Sequence, residues 1–132
     1  MRNRLSPPVW EHDSYPLRLL AARLRTTIAK YFGSVRDGVV VDLGCGDSPY
    51  RPLFDRYAFR YIPCDLAGGK GEVILEPGRT IEIPSRSVQA VVSFQVLEHV
   101  WDVDWYLTEA RRILRTEGHL LLSTHEIGRA HV

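Results

Sequence analysis

The stretch that most constrains this chain is Val39-Val40-Val41-Asp42-Leu43-Gly44-Cys45-Gly46-Asp47-Ser48-Pro49. Three consecutive β-branched residues favour a strand covered on both faces, because a strand with one wet face alternates apolar and polar residues. Asp42 falls at the C-terminal end of that strand. Gly44 and Gly46 permit positive φ and let a ligand come close to the backbone. Ser48 and Pro49 have the chemistry of an N-cap and a first helical residue. The stretch therefore predicts a strand, a tight turn and a helix start, with free N–H groups and the positive dipole end facing the turn. In an open α/β sheet that order makes a small-ligand site. The plainer reading is a strand-to-helix connection that needs two glycines.

The rest of the chain repeats the alternation. Ser14-Tyr15-Pro16 opens a helix in which Leu17, Leu20, Leu24, Ile28 and Tyr31 recur as an apolar stripe, and Gly33 stops it. After the turn, a short helix spans about Tyr50 to Tyr57. Strands follow at Phe59–Asp65, Glu72–Leu75 and Val88–Phe94, with Ile81 and Ile83 turned inward by alternation. Asp102 caps a helix running to about Thr116, with Val103, Tyr106, Leu107, Ala110, Ile113 and Leu114 as its buried stripe and Gly118 as its stop. Arg111, Arg112 and Arg115 fall near its C-terminus, where the dipole favours cations. His119–His125 makes a fifth strand. Strands alternating with helices predict a parallel, doubly wound α/β sheet. Residues 1–13 read as an irregular arm with Trp10 as a packing anchor, and 14–126 as one ligand-binding domain.

Asp65 stands about twenty residues beyond the glycine turn, the spacing at which a carboxylate reaches a ribose hydroxyl pair; the alternative is an Asp that caps a loop. Leu66 is placed to pack on a base. Cys45 and Cys64 end neighbouring strands and are expected to line the same pocket. Composition excludes other classes. With a net charge of +1 over 132 residues, nothing draws the chain to nucleic acid or a membrane surface. No apolar run is long enough for a membrane span, and two isolated cysteines without a nearby His pair make no zinc site. Reduced thiols and the lack of a signal-peptide core point to the cytoplasm.

Val41-Asp42-Leu43-Gly44-Cys45-Gly46 resembles the first motif of class I S-adenosylmethionine-dependent methyltransferases of the type 11-like group, with Ser48 where a third glycine is usual. Ile83-Pro84 through Val96-Leu97-Glu98-His99-Val100 resembles the same family's fourth-strand region, with Gln89 in place of an Asp. Glu109-Ala110-Arg111-Arg112-Ile113-Leu114-Arg115 leading through Gly118 into a Leu-rich strand is similar too. The resemblance implies a Rossmann-like sheet of about five strands in order 3-2-1-4-5, lacking the last two strands of the family fold. It implies S-adenosylmethionine as cofactor. Asp42, Gly44, Cys45 and Gly46 would be at its methionine end, Asp65 and Leu66 at its adenosine end, and Gln95 would be aimed at the methionine part. Glu76 is a loosely aligned candidate for contact with the adenine. Glu98 and His99 admit two readings, acid–base chemistry or support for the first turn of the next helix. The second is preferred, because acid–base work needs geometry that spacing alone does not supply.

The implied activity is methyl transfer to an unidentified acceptor, with a small molecule favoured; a non-catalytic S-adenosylmethionine-binding module is the alternative. The segment Ile127-Gly128-Arg129-Ala130-His131-Val132 resembles the in-frame translation of a sequencing adapter. Native sequence is accordingly expected to end near His125, with residues 127–132 a non-native tail.

Overall fold

The computed structural model describes residues 4–6, 14–35, 38–57, 60–94 and 96–124. Trp10, Phe59, Gln95, His125, most of the arm at 1–13 and the tail at 127–132 lie outside them. Helix α1 (Ser14–Phe32) precedes β1 (Val39–Leu43), β2 (Arg60–Leu66), β3 (Val73–Leu75), β4 (Val88–Phe94), α2 (Val103–Ile113) and β5 (Leu114–Ser123). The strands form one parallel sheet in the order β3-β2-β1-β4-β5. The chain leaves β1 toward β2 and returns to β4 on its other side. The C-terminal ends of β1 and β4 therefore border the switch point where open α/β sheets bind ligands.

The run Val39–Val41 is a strand because it has apolar cover on both sides. Val40 joins Leu24, Ile28 and Phe32 of α1, with Tyr50, Phe54, Tyr61, Val92, Phe94 and Leu121, on one face. Val41 and Leu43 join Ile62, Cys64, Val91, Tyr106, Ala110 and Ile113, largely under α2, on the other. The inward stripe of α1 runs through Ala21, Leu24, Ile28 and Phe32, and Tyr31 is exposed instead. Ile81 and Ile83 are buried beneath α2 as their alternation predicts. Asp102 caps α2 by accepting from the Trp105 N–H at 2.9 Å.

Two helix expectations fail. No α-helix follows the glycine turn: Ser48 takes a left-handed conformation (φ 56°) rather than an N-cap one, and two 3-10 turns follow at Arg51–Leu53 and Asp55–Tyr57. Pro52 lacks an N–H, and Leu53 and Phe54 are consecutive buried residues, so the segment packs as tight turns. At the other end, α2 stops at Ile113, not Thr116. Leu114 is already extended and pairs with Val88 of β4, and a bulge at 115–118 then restores pairing at His119 with Ala90. Sheet pairing overrides the helical propensity of Leu114-Arg115. Gly118 serves the bulge and not a helix end: a Cβ there would stand 2.9 Å from the Arg115 carbonyl oxygen.

Candidate functional site

The glycine turn closes the top of β1 and is fixed by β2. The N–H groups of Gly44 and Cys45 both donate to the Cys64 carbonyl at 2.9 Å. Gly46 N–H donates to Asp65 Oδ2 at 3.2 Å, and Ser48 N–H to the Cys45 carbonyl at 2.9 Å. Four of the expected free donors are thus spent on holding the turn, and without an α-helix there is no dipole end to add to the rest. Gly44 (φ 76°) has a second constraint. A Cβ on it would lie 2.6 Å from Val96 Cγ1, so Val96 rests directly on the turn. At Gly46 (φ 54°) the corresponding space is empty.

Two cavities flank this turn and share Gly44, Gly46 and Val96 as walls. The first, of about 260 Å³, lies on the α1 side of the sheet and is lined by Arg4, Asp42, Cys45, Asp47, Pro49, Tyr50 and Phe94. The second, of about 330 Å³, lies on the α2 side between Asp65, Leu66, Leu75, His99, Trp101 and Trp105. One is bordered by charges; the other is bordered mainly by apolar and aromatic side chains.

Asp42 is 2 % exposed, and its carboxylate accepts a hydrogen bond from the Tyr61 hydroxyl. Burial raises its pKa to about 6; the Tyr61 bond opposes the rise and the charge of Asp65 adds to it. Tyr61 is placed by strand register, since it pairs across from Val40 and so shares a face with Asp42. The Arg51 guanidinium covers its ring at 5.0 Å. Asp65, at the end of β2, accepts from Gly46 N–H through one oxygen and from Leu66 N–H, at 2.9 Å, through the other. Each oxygen keeps a lone pair for a further donor. Leu66 is 56 % exposed beside it.

The remaining candidates separate. Cys45 borders the first cavity, but burial pushes its thiol up to about 11, so it is not a ready nucleophile. Cys64 does not line either cavity. It is wholly buried, and its contribution is the carbonyl that holds the turn. Glu98 and His99 form a 3-10 turn, Leu97–His99, ahead of α2. Glu98 accepts from Thr124 Oγ1 at 2.8 Å, beyond the end of β5, and borders neither cavity. His99 is exposed at the rim of the second. Glu76 is exposed and paired with Arg79 at 3.2 Å. Gln95 lies outside the described residues.

Several residues of the site carry no local sequence signal. Arg4, Tyr50 and the pair Phe94 and Val96 reach the first cavity from three separate segments, and Trp101 and Trp105 reach the second. Tyr106 is buried where β1 and β4 diverge: its hydroxyl donates to the Leu43 carbonyl at 3.0 Å and shares a 2.5 Å bond with Ser93. Its position in the helical stripe marks it as core, but the polar end is what ties the strand ends together.

A family model described as a methyltransferase domain matches residues 10–131. The chain belongs to the methyltransferase domain family. Over 95 residues this domain is 46% identical to a Mycobacterium tuberculosis protein named as a probable S-adenosylmethionine-dependent methyltransferase, covering 64% of this chain and 35% of that relative. The domain spans about a third of the length of the curated relatives it matches. Among solved structures, a Pyrococcus horikoshii protein superposes with a TM-score of 0.70 at 17% identity, covering 96% of this chain and 61% of that one. The [4+2]-cyclase SpnF shares the fold at a TM-score of 0.62 and 16% identity, covering 80% of this chain and 45% of that one. The fold by itself therefore does not fix the reaction.

Proposed function

We propose that the domain binds S-adenosylmethionine and presents its methyl group to an acceptor of small-molecule size. The observation that carries this reading is the pair of cavities on either side of one glycine turn. One is bounded by a buried carboxylate, the other by a carboxylate at a strand end beside an apolar wall. An extended ligand with a zwitterionic amino-acid end and a nucleoside end matches that division. Gly44 and Gly46 leave the turn without side chains where both cavities meet it, so a chain can pass close to the backbone.

Asp42 would hold an ammonium group, Asp65 a ribose hydroxyl pair, and Leu66 a face of the base. Asp65 suits its role because two backbone N–H groups fix its orientation before any ligand arrives. Bound there, the cofactor supplies an already activated methyl group, so catalysis is largely a matter of positioning. Val96 and Tyr106 contribute rigidity, one by packing on Gly44 and the other by joining β1 to β4. His99 and Trp101 stand at the rim on the α2 side, where an acceptor would approach. Two unpaired cysteines fit work in a reducing compartment such as the cytoplasm.

A second reading is a domain that binds the cofactor without turning it over. It is favoured by one observation: Glu98, half of the acid–base pair suggested by the sequence, is engaged with Thr124 and borders neither cavity. Calorimetric titration with S-adenosylmethionine and S-adenosylhomocysteine, followed by a labelled-methyl assay against mixed metabolite acceptors, separates the readings. Binding with transfer supports the enzyme, and binding without transfer supports the module. Absence of binding removes both.

A further inference from the structure

We propose that the groove between the C-terminal half of α2 and the edge strand β5 binds a small oligophosphate anion through Arg86, Arg111 and Arg115. The groove lies beside the start of β4, at the other end of the sheet from the glycine turn, and the proposal is independent of the cofactor reading. Its volume is about 1170 Å³, space for a chain of linked tetrahedral groups and not only for one. Ser85, Thr108 and Thr116 bring hydroxyls to the wall, and among the described residues no acidic side chain lines it.

The arginines that border the groove differ in how their charge is spent. Arg112 is matched by Glu109 at 2.8 Å and gives its other N–H groups to two backbone carbonyls and the Ser85 hydroxyl. Arg86, Arg111 and Arg115 are exposed, and among the described residues none of them has an ion pair. The whole chain carries a net charge of only +1, so these unmatched guanidinium groups are a local concentration and not a share of a general excess. Each offers a planar fork of N–H donors that matches two oxygens of a phosphate.

The dipole at the end of α2 accounts for an arginine at 111 or 115, but not for Arg86, which arrives from the loop ahead of β4. Arg86 has a left-handed backbone (φ 53°), a conformation unfavourable to a residue with a Cβ. Two bonds to the end of α2 impose it: Arg86 N–H donates to the Arg112 carbonyl and Ser87 N–H to the Ile113 carbonyl, each at 2.9 Å. Backbone strain thus brings a further cation into a groove that already holds two like charges. That arrangement is costly in the empty groove and is relieved by an anion. Leu107, Leu114 and Leu120 form an apolar floor beside the arginines, against which an organic group attached to the phosphates can lie.

The test is calorimetric titration of the 132-residue chain with inorganic triphosphate at low ionic strength. The parent is expected to bind it saturably, and added sodium chloride should weaken that binding. Arg111→Gln and Arg115→Gln are each expected to weaken it by roughly 3- to 20-fold, with the unfolding midpoint of the free protein unchanged. Arg23→Gln and Arg25→Gln, at exposed positions on α1, are the controls and should change nothing. Uridine 5′-triphosphate separates two sources of the same anion, judged by the affinity that Arg111→Gln removes. A larger loss than for inorganic triphosphate assigns the groove to a nucleotide lying on Leu107 and Leu120; an equal loss assigns it to the free oligophosphate. Failure of the parent to bind triphosphate overturns the proposal. The same loss from the α1 variants as from Arg111→Gln also overturns it, since binding then follows overall charge and not this groove.

Discussion

Asp42 costs the fold stability as an anion, while the proposed site would use that same charge. Its pKa rises from 3.8 to about 6 on folding, so the folded state holds the proton more tightly than the unfolded chain. Stability from this group is therefore highest in acid, falls as pH rises from about 3.8 to about 6, and stays reduced above that. Asp42→Asn should raise stability at pH 7.5 by up to roughly 2–3 kcal/mol in urea titrations, while weakening S-adenosylhomocysteine binding. For the parent, affinity should be full above the shifted pKa and decline as pH drops below about 6, where the carboxylate becomes neutral. Tyr61→Phe removes the hydrogen bond that stabilises the anion, so the midpoint of that decline should move to higher pH. An unchanged midpoint would assign Tyr61 to packing alone. Gly44→Ala meets both a left-handed φ and the Val96 methyls and should cost roughly 2–4 kcal/mol. Gly46→Ala meets only the backbone term, roughly 1 kcal/mol.

At the scale of elements, α2 does more than cover the sheet. Its Arg112 guanidinium binds Glu109 at 2.8 Å, the carbonyls of Ile81 and Ile83 at 2.9 and 3.0 Å, and the Ser85 hydroxyl at 3.1 Å. Glu109 in turn accepts the Ile81 N–H at 2.7 Å. The helix dipole was sufficient reason for an arginine there, yet Arg112 is occupied in fastening the connection between β3 and β4. Arg112→Met should destabilise the domain by roughly 2–4 kcal/mol in denaturant, whereas Arg111→Met, on the exposed side, should be near neutral. The Arg112 hydrogen bond holds the Glu109 carboxyl below its ordinary value of 4.5. Its contribution is thus present above that value and lost as pH falls through the lowered one. The Arg112→Met variant should show a flatter stability profile in acid; an identical profile would show that the pair is not linked to folding.

For the whole molecule, the sheet order gathers the glycine turn and the two cavities beside it at one end. β1 is the central strand with β4 beside it, and the glycine turn, Val96 and Tyr106 converge where the two part. β5 is the longer of the two edges of the sheet: among the described residues it pairs only with β4, and Leu120 and Leu122 are each 40 % exposed on it. Such an edge favours strand-to-strand association. In sedimentation experiments the 132-residue chain should self-associate with rising concentration, and Leu122→Lys should suppress this without changing the fold by circular dichroism.

The positions of the first four strands, the parallel architecture and the two carboxylates at strand ends were legible in the sequence, whereas the fifth strand begins at Leu114 and not at His119. Each is a local matter of period, turn chemistry and spacing: Val39–Val41, Val88–Phe94 and the Asp102 cap needed no partner to be recognised. What tertiary structure alone decided is where competing groups go. Ser48 and Pro49 looked like a helix start, but packing of Leu53 and Phe54 drew the segment into 3-10 turns. Leu114 belonged to a helical stripe until pairing with Val88 claimed its backbone. The turn's N–H groups looked available because the Cys64 carbonyl and the Asp65 carboxylate that take them come from another strand. Arg4 and Tyr50 meet Asp42 for the same reason: residues distant along the chain become neighbours only when the sheet is assembled.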